Sequence, residues 1–126
     1  RSSGERAAQI IDAIAHDLNQ PELAVNIRND GCIANLPDGA VVEVPGIINA
    51  KDVWVVEVVH LQGGLAAILR REIDIQALVV EAGVNGDRKA ALQALLLDPN
   101  VHSYVQAQHL LDELLSVHAK YLPQFA

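Results

Sequence analysis

Apolar residues recur at helical spacing at the start of the chain, alternate through its middle, and return to helical spacing from Gly63 to the end. Ser2 and Glu5 stand at the spacing of a capping box. Ala7, Ile10, Ile11, Ile14 and Leu18 then make one stripe of an amphipathic helix, which Asn19-Gln20-Pro21 ends. From Glu22 to Arg28 the pattern alternates, with Leu23, Val25 and Ile27 on one face and Ala24, Asn26 and Arg28 on the other. Asp30-Gly31 follows as a two-residue hairpin signal, because glycine accepts the positive φ of a type I′ turn. With those two residues as the loop, Asn29 pairs with Cys32 and Asn26 with Asn35. Val25, Ile27, Ala34 and Leu36 then form the core face, and Asn26, Arg28 and Asn35 share the opposite face with Ile33. Pro37-Asp38-Gly39 predicts a second turn into a strand over 40–48. Pro45 and Gly46 interrupt that strand's ladder, so it bends there or lies at an edge.

A further β-branched run covers 52–59. The long helical pattern after Gly63 closes at Asn85-Gly86. Asp87 is placed to cap a helix over 88–97, and Asp98-Pro99 stops it. Asn100 is placed to cap a last helix that reaches Leu122, with Leu110, Leu111, Leu114, Leu115, Val117, Tyr121 and Leu122 on a broad apolar face, on whose side His118 is expected as a buried or rim histidine. Helix, meander, then helices is an α+β order, here an antiparallel β meander packed with helices in one domain over 1–126.

Composition narrows the partners. Half of the 126 residues are apolar (51%), enough for a filled core, and the net charge of −7 speaks against nucleic acid and anionic membranes. No apolar run is long enough to cross a bilayer. One cysteine makes no internal disulfide, which fits a reducing, cytoplasmic setting. The chain opens on Arg1 and contains no Met, so it is expected to be a piece of a longer protein.

Candidate chemistry is thin. Cys32 has no His or C-x-x-C partner at a useful spacing and reads as structural filler. The histidines at 16, 60, 102, 109 and 118 never stand four apart on a helix, as a metal pair does, and His60 at the end of the last strand is the one placed for a cleft. Glu5, Glu43, Glu57, Glu72 and Asp112 fall on strand exteriors or helix surfaces. No G-x-S-x-G, phosphate-loop or G-x-G-x-x-G motif occurs. By itself the chain shows no catalytic constellation and no metal ligands.

The stretch V-N-I-R-N-D-G-C-I-A-N-L-P-D-G-A-V-V-E-V-P, from Val25 to Pro45, resembles the C-terminal domain of glycoside hydrolase family 4, the NAD-dependent glucosidases, galactosidases and 6-phospho-glucosidases. The entry helix S-G-E-R-A-A-Q-I-I-D-A-I, the block I-D-I-Q-A-L-V-V-E-A-G-V-N-G-D-R-K-A-A-L-Q-A-L-L-L-D-P and the closing helix extend the likeness across nearly the whole chain. The resemblance implies a fold like the C-terminal half of lactate and malate dehydrogenases. It also implies a missing N-terminal Rossmann domain that carries NAD, a divalent metal, usually manganese, and a homo-oligomer in the cytoplasm. The implied chemistry is redox-assisted elimination on a sugar or sugar-phosphate glycoside, with hydride leaving C3 and a proton leaving C2, outside the two-carboxylate scheme. The family's nucleotide loop, metal ligands and base lie upstream of the matched region. This piece is therefore expected to be inactive alone and to bind neither NAD nor metal.

The entry segment at Arg1 and the amides of Asn26, Asn29 and Asn35, which match family positions, become the substrate-adjacent candidates, with Asp30, Gly31, Pro37 and Gly39 as turn residues. Arg28 and Gln62 stand where the family usually has Pro, which leaves the substrate open. The ending A-L-Q-A-L-L-L-D-P favours the α-glucosidase and α-galactosidase branch. Competing readings are a non-catalytic dimerisation module and the C-terminal half of a lactate or malate dehydrogenase-like oxidoreductase.

Overall fold

The structure is a computed structural model and describes residues 6–56 and 59–126; Ser2, Glu5 and Glu57 lie outside them. Its elements run in the order α1 (Ala7–His16), β1 (Gln20–Arg28), β2 (Val41–Ile48), β3 (Val53–Val55), α2 (Gly63–Asn85), α3 (Arg88–Leu97) and α4 (Tyr104–Val117), followed by two single 3₁₀ turns. The fold class is α+β, with one antiparallel three-stranded meander ordered β1-β2-β3. The chain divides into two compact units, residues 1–66 and 67–126.

In the first unit β2 is the central strand. Val42, Val44 and Ile48 are buried on one of its faces while Val41, Glu43 and Pro45 point outward, the period of two that a half-covered sheet requires. Pro45 therefore does not put this strand at an edge. The break it causes is taken up by β1, whose register to β2 shifts between Glu22↔Gly46 and Val25↔Val44. Proline has no N–H to give the ladder, so Leu23 and Ala24 bulge opposite it, and Leu23 is left 92% exposed rather than in the core. Gly46 is needed at the crossing: a Cβ there would stand 2.9 Å from Val25 Cγ2 and 3.2 Å from Val53 Cγ1.

The hairpin centred on Asp30-Gly31 does not form. Arg28 pairs with Val41 and Ile27 with Val42, so β1 joins β2 directly and residues 29–40 become the connection. Asn29 N–H donates to the Ala40 carbonyl at 2.7 Å and Gly39 N–H to the Asn29 carbonyl at 2.8 Å, which closes that loop at its base. Asn26 consequently faces Glu43 instead of Asn35. The assumed core face also changes: Ile33 and Cys32 are buried while Ala34 is exposed. The last strand is shorter than its β-branched run, because β3 ends at Val55 and Val59 instead makes an isolated parallel bridge to Ile33.

Helix α1 carries the expected stripe but does not turn it inward. Ala13 is fully buried and Ile11 and Ile14 are exposed. The helix stops at His16 because Asp17 enters the left-handed region (φ 56°), with Asn19 (φ 50°) following it there.

In the second unit Asp87 caps α3 by accepting from Lys89 N at 2.7 Å and Ala90 N at 3.1 Å. The cap of α4 is Ser103, whose hydroxyl accepts from Gln106 N at 3.1 Å, and not Asn100, which is held by Asp98. A β-region backbone at Ser103 sets the helix start three residues later than the first capping candidate. Alanines 90, 94 and 107 are buried, small enough to let α3 and α4 pack closely, and Arg88 pairs with Asp112 across them. His118 caps the end of α4 and is exposed, so it is not a buried histidine.

Candidate functional site

Asn29 organises the loop that joins β1 to β2. Its side chain is fully buried (0% exposed residue), and every polar atom on it is used. Nδ2 lies within 3.1–3.2 Å of the carbonyls of Ile33, Leu36 and Pro37, so its two protons are shared among three acceptors. Oδ1 accepts from Ile33 N at 2.9 Å and from the Cys32 thiol at 3.1 Å. A loop of this length has inward-facing backbone groups that no ladder reaches, and one amide satisfies them from the centre. Cys32 is thereby a buried thiol in an amide's hydrogen-bond shell.

Asn35 works at the loop's outer end. Its Nδ2 donates to the Leu61 carbonyl at 2.8 Å and its Oδ1 accepts from Leu61 N at 3.0 Å, so the side chain pairs with backbone as a strand would. Two residues earlier the bridge continues, with Ala34 N donating to Val59 O and Val59 N to Cys32 O, both at 2.9 Å. The loop thus clasps Val59 and Leu61 on either side of His60, which is exposed on a fixed backbone. Pro37-Asp38-Gly39 turns the chain back, with Gly39 at φ 82°, and the Arg28 guanidinium fills the space above Gly39. Arg28 also donates to Asp30 at 3.0 Å, on the rim of a hollow of about 370 Å³ lined by Ile27, Cys32, Asp52 and Val53.

The candidates read from the sequence therefore separate. Asn29 and Asn35 spend their amides on backbone, Asn26 is exposed beside Glu43, and Arg1 lies outside the described residues. Among the described residues no three His, Cys, Asp or Glu side chains gather to hold a metal ion. No manganese ligands are assigned to them.

One ionic feature was not legible in the sequence. Glu22, 7% exposed, is held by Arg6 through Nε–Oε2 at 2.6 Å and Nη2–Oε1 at 2.8 Å, a bidentate fork. The two residues lie on different elements, and no local pattern links them. The hydrogen bonds from Arg6 hold the Glu22 carboxyl below its ordinary value of 4.5, against the opposing effect of burial and with help from the Arg6 charge. The same fork raises the Arg6 guanidinium. A carboxylate with a lowered folded pKa contributes stability above its unfolded pKa, and that contribution fades as pH falls through the folded value. Glu22→Gln is therefore expected to lower the thermal midpoint most near neutrality. The gap from the unmodified protein should narrow as pH falls below the ordinary carboxyl range, and a gap independent of pH would contradict the ion pair.

Comparison with known proteins places this geometry. The sequence profile described as the Family 4 glycosyl hydrolase C-terminal domain matches residues 1–101. A probable 6-phospho-beta-glucosidase of Bacillus subtilis (strain 168) is 32% identical over 121 residues, covering 96% of this chain and 27% of that protein. An alpha-glucosidase of Erwinia rhapontici is 37% identical over 112 residues, covering 89% and 24%. The solved 6-phospho-beta glucosidase of Thermotoga maritima, crystallised with manganese, NAD+ and glucose-6-phosphate, superposes with a TM-score of 0.83 at 29% identity over 92% of this chain and 28% of that one. The chain spans about a quarter of the length of the curated relatives it matches.

Proposed function

We propose, from the premise that this chain belongs to the family 4 glycosyl hydrolases as their C-terminal domain, that it is the substrate-side half of an NAD- and divalent-metal-dependent glycosidase. The observation that carries this reading is the continuous match from residue 1 to 101, reinforced by curated glycosidases similar over nearly the whole chain. An N-terminal dinucleotide-binding domain would supply NAD and the manganese ligands, as the cofactors of the Thermotoga maritima relative suggest for this protein. When bound, those groups supply redox chemistry at the sugar and polarise its oxygens. The present residues contribute a rigid wall: the Asn29 loop, fixed to Leu61 by Asn35, forms one fold unit with β1 and β2. Of the substrate-adjacent candidates, Arg1 and Asn26 remain for the sugar side, since Asn29 and Asn35 are engaged with backbone.

The preferred substrate class is an α-glucoside or α-galactoside, supported by the alpha-glucosidase similarity at 37% identity. The working protein is cytoplasmic. The test uses the full-length protein with NAD⁺ and Mn²⁺ in D₂O. Hydrolysis through elimination leaves solvent deuterium at C2 of the released sugar, because the proton removed there is replaced from water. Sugar released with its C2 hydrogen intact would refute the mechanism, and no hydrolysis of α- or β-glycosides, with or without a 6-phosphate, would refute the glycosidase reading. Faster turnover of 4-nitrophenyl α-glucoside than of its 6-phospho-β counterpart is the expected order.

A further inference from the structure

In the second unit the end of α2, the helices α3 and α4 and the closing 3₁₀ turn surround an apolar hollow of about 330 Å³. Small residues make the space: Ala82 and Gly83 of α2 and Ala91 and Ala94 of α3 line it where leucines would fill it. Leu122 and Phe125 of the closing turn form one wall. The bond from Gln124 Nε2 to the Gly83 carbonyl at 2.8 Å ties that turn to α2, so the wall belongs to the fold. An apolar cavity of roughly 150 Å³ accepts benzene, and ligand pockets begin near about 300 Å³. This hollow therefore has room for a body of two fused rings rather than one.

Charge selects what enters it. Among the described residues lining the hollow Asp98 is the one with an ionisable side chain. Its place is fixed. Asp98 N–H donates to the carbonyls of Ala94 and Leu95 at 3.2 and 3.3 Å, and Oδ1 accepts from Asn100 N at 2.8 Å and Asn100 Nδ2 at 3.0 Å. The carboxylate thus stands at the carbonyl end of α3, which is itself partly negative. No Lys, Arg or His occupies the last turn of α3 to offset either. Lys120, close to the closing turn in sequence, lies over the Tyr121 ring at 5.6 Å. Apolar walls with two sources of negative potential at one place suit a ligand with an apolar body and a single positive end.

We propose that this hollow is a binding site for a small hydrophobic amine, with its carbon body among the alanines and its ammonium group at Asp98. The proposal concerns the second unit and stands whether or not the protein is a glycosidase. Isothermal titration of the full-length protein with 1-naphthylmethylamine tests it, with 1-naphthylmethanol as the neutral counterpart of the same size. The amine should bind with a dissociation constant on the order of 1 mM or below, as expected for roughly 12 non-hydrogen atoms. The alcohol should bind about five- to ten-fold more weakly. Asp98→Asn, which keeps the oxygen that Asn100 bonds, should bring the two to equal affinity. Gly83→Leu should weaken both about ten-fold or more without lowering the thermal midpoint, since a Cβ there meets nothing within 4 Å. Val79→Trp, at a 55% exposed position of the wall, is the second occluding change. Gly64→Leu, where a Cβ is equally unobstructed but which lies in the first unit, should bind as the unmodified protein does. No binding by the full-length protein would overturn the proposal, because another part of the polypeptide would then fill the hollow. So would equal affinity of the unmodified protein for amine and alcohol, or binding that survives both Gly83→Leu and Val79→Trp, which would put the ligand elsewhere.

Discussion

Replacing Asn29 by Asp is expected to destabilise the protein by about 3–5 kcal/mol near neutral pH, the largest effect of any single isosteric change in the first unit. The shape is kept and the chemistry is reversed. Where Nδ2 gives protons to the carbonyls of Ile33, Leu36 and Pro37, a carboxylate would bring a charged oxygen to three carbonyl oxygens at 3.1–3.2 Å. No cation is within reach of that oxygen among the contacts of Asn29, and the residue is 0% exposed, so water does not compensate. Each carbonyl left without a donor costs about 1–3 kcal/mol, and the loop loses the groups that keep its backbone dry. At roughly 3–4 °C for each kcal/mol in a domain of this size, the thermal midpoint should fall by about 10 °C or more.

Lowering the pH gives this prediction a second, independent readout. The carboxyl that Asn29→Asp introduces is buried and faces carbonyls, so it prefers its protonated form, which restores one donor, and its folded pKa is raised. The deficit is then present above that raised value and eases as pH falls through it. This is the reverse of Glu22, whose stabilising contribution disappears on acidification. Asn29→Ala, which removes the amide without adding charge, should cost less than Asn29→Asp at neutral pH and show no such recovery. Equal losses for the two variants at every pH would remove the central role given to the Asn29 amide.

The same residue explains what could and could not be read from the sequence. The end of α2 and the start of α3 were legible because their signals are local: Asp87 satisfies N–H groups two and three residues away, and Gly86 takes the positive φ that closes α2. The Asp30-Gly31 pair gave an equally local signal, and it misled. A type I′ hairpin would have left Asn29 on a ribbon. The alternative lets Asn29 collect acceptors as far along as Pro37 and pairs Arg28 directly with Val41. That choice is made by bonds spanning up to eight residues and by Asn35 reaching Leu61, which no periodicity registers. The α1 stripe shows the complementary limit. Its period was readable, but period alone does not say which of two neighbours a helix face will meet. Of the site, the asparagines were found and their work was not, because an amide bonding backbone and an amide bonding a sugar look alike in sequence.

Gly86→Ala is the second substitution with a large expected effect, and it acts in the other unit. Gly86 sits at φ +67°, where an L-residue pays about 1–2 kcal/mol for its Cβ. The conformational strain is the smaller part. A Cβ at this position would overlap the backbone carbonyl of Gln124, which belongs to the closing 3₁₀ turn Pro123–Phe125. Backbone cannot swing aside as a long side chain can, so the turn must lift. Lifting it breaks the bond from Gln124 Nε2 to the Gly83 carbonyl at 2.8 Å and withdraws Leu122 and Phe125 from the apolar hollow of about 330 Å³ they line with Ala82, Leu95 and Leu111. Together these losses come to roughly 2–4 kcal/mol. Gly83→Ala, three residues earlier, is the matched control. Its Cβ would meet nothing within 4 Å, and in a helix the change should stabilise by about 0.5–1 kcal/mol. Opposite shifts of the thermal midpoint for two glycine-to-alanine changes on one helix end would locate the C-terminal turn over Gly86. Equal shifts would mean that the turn does not rest there.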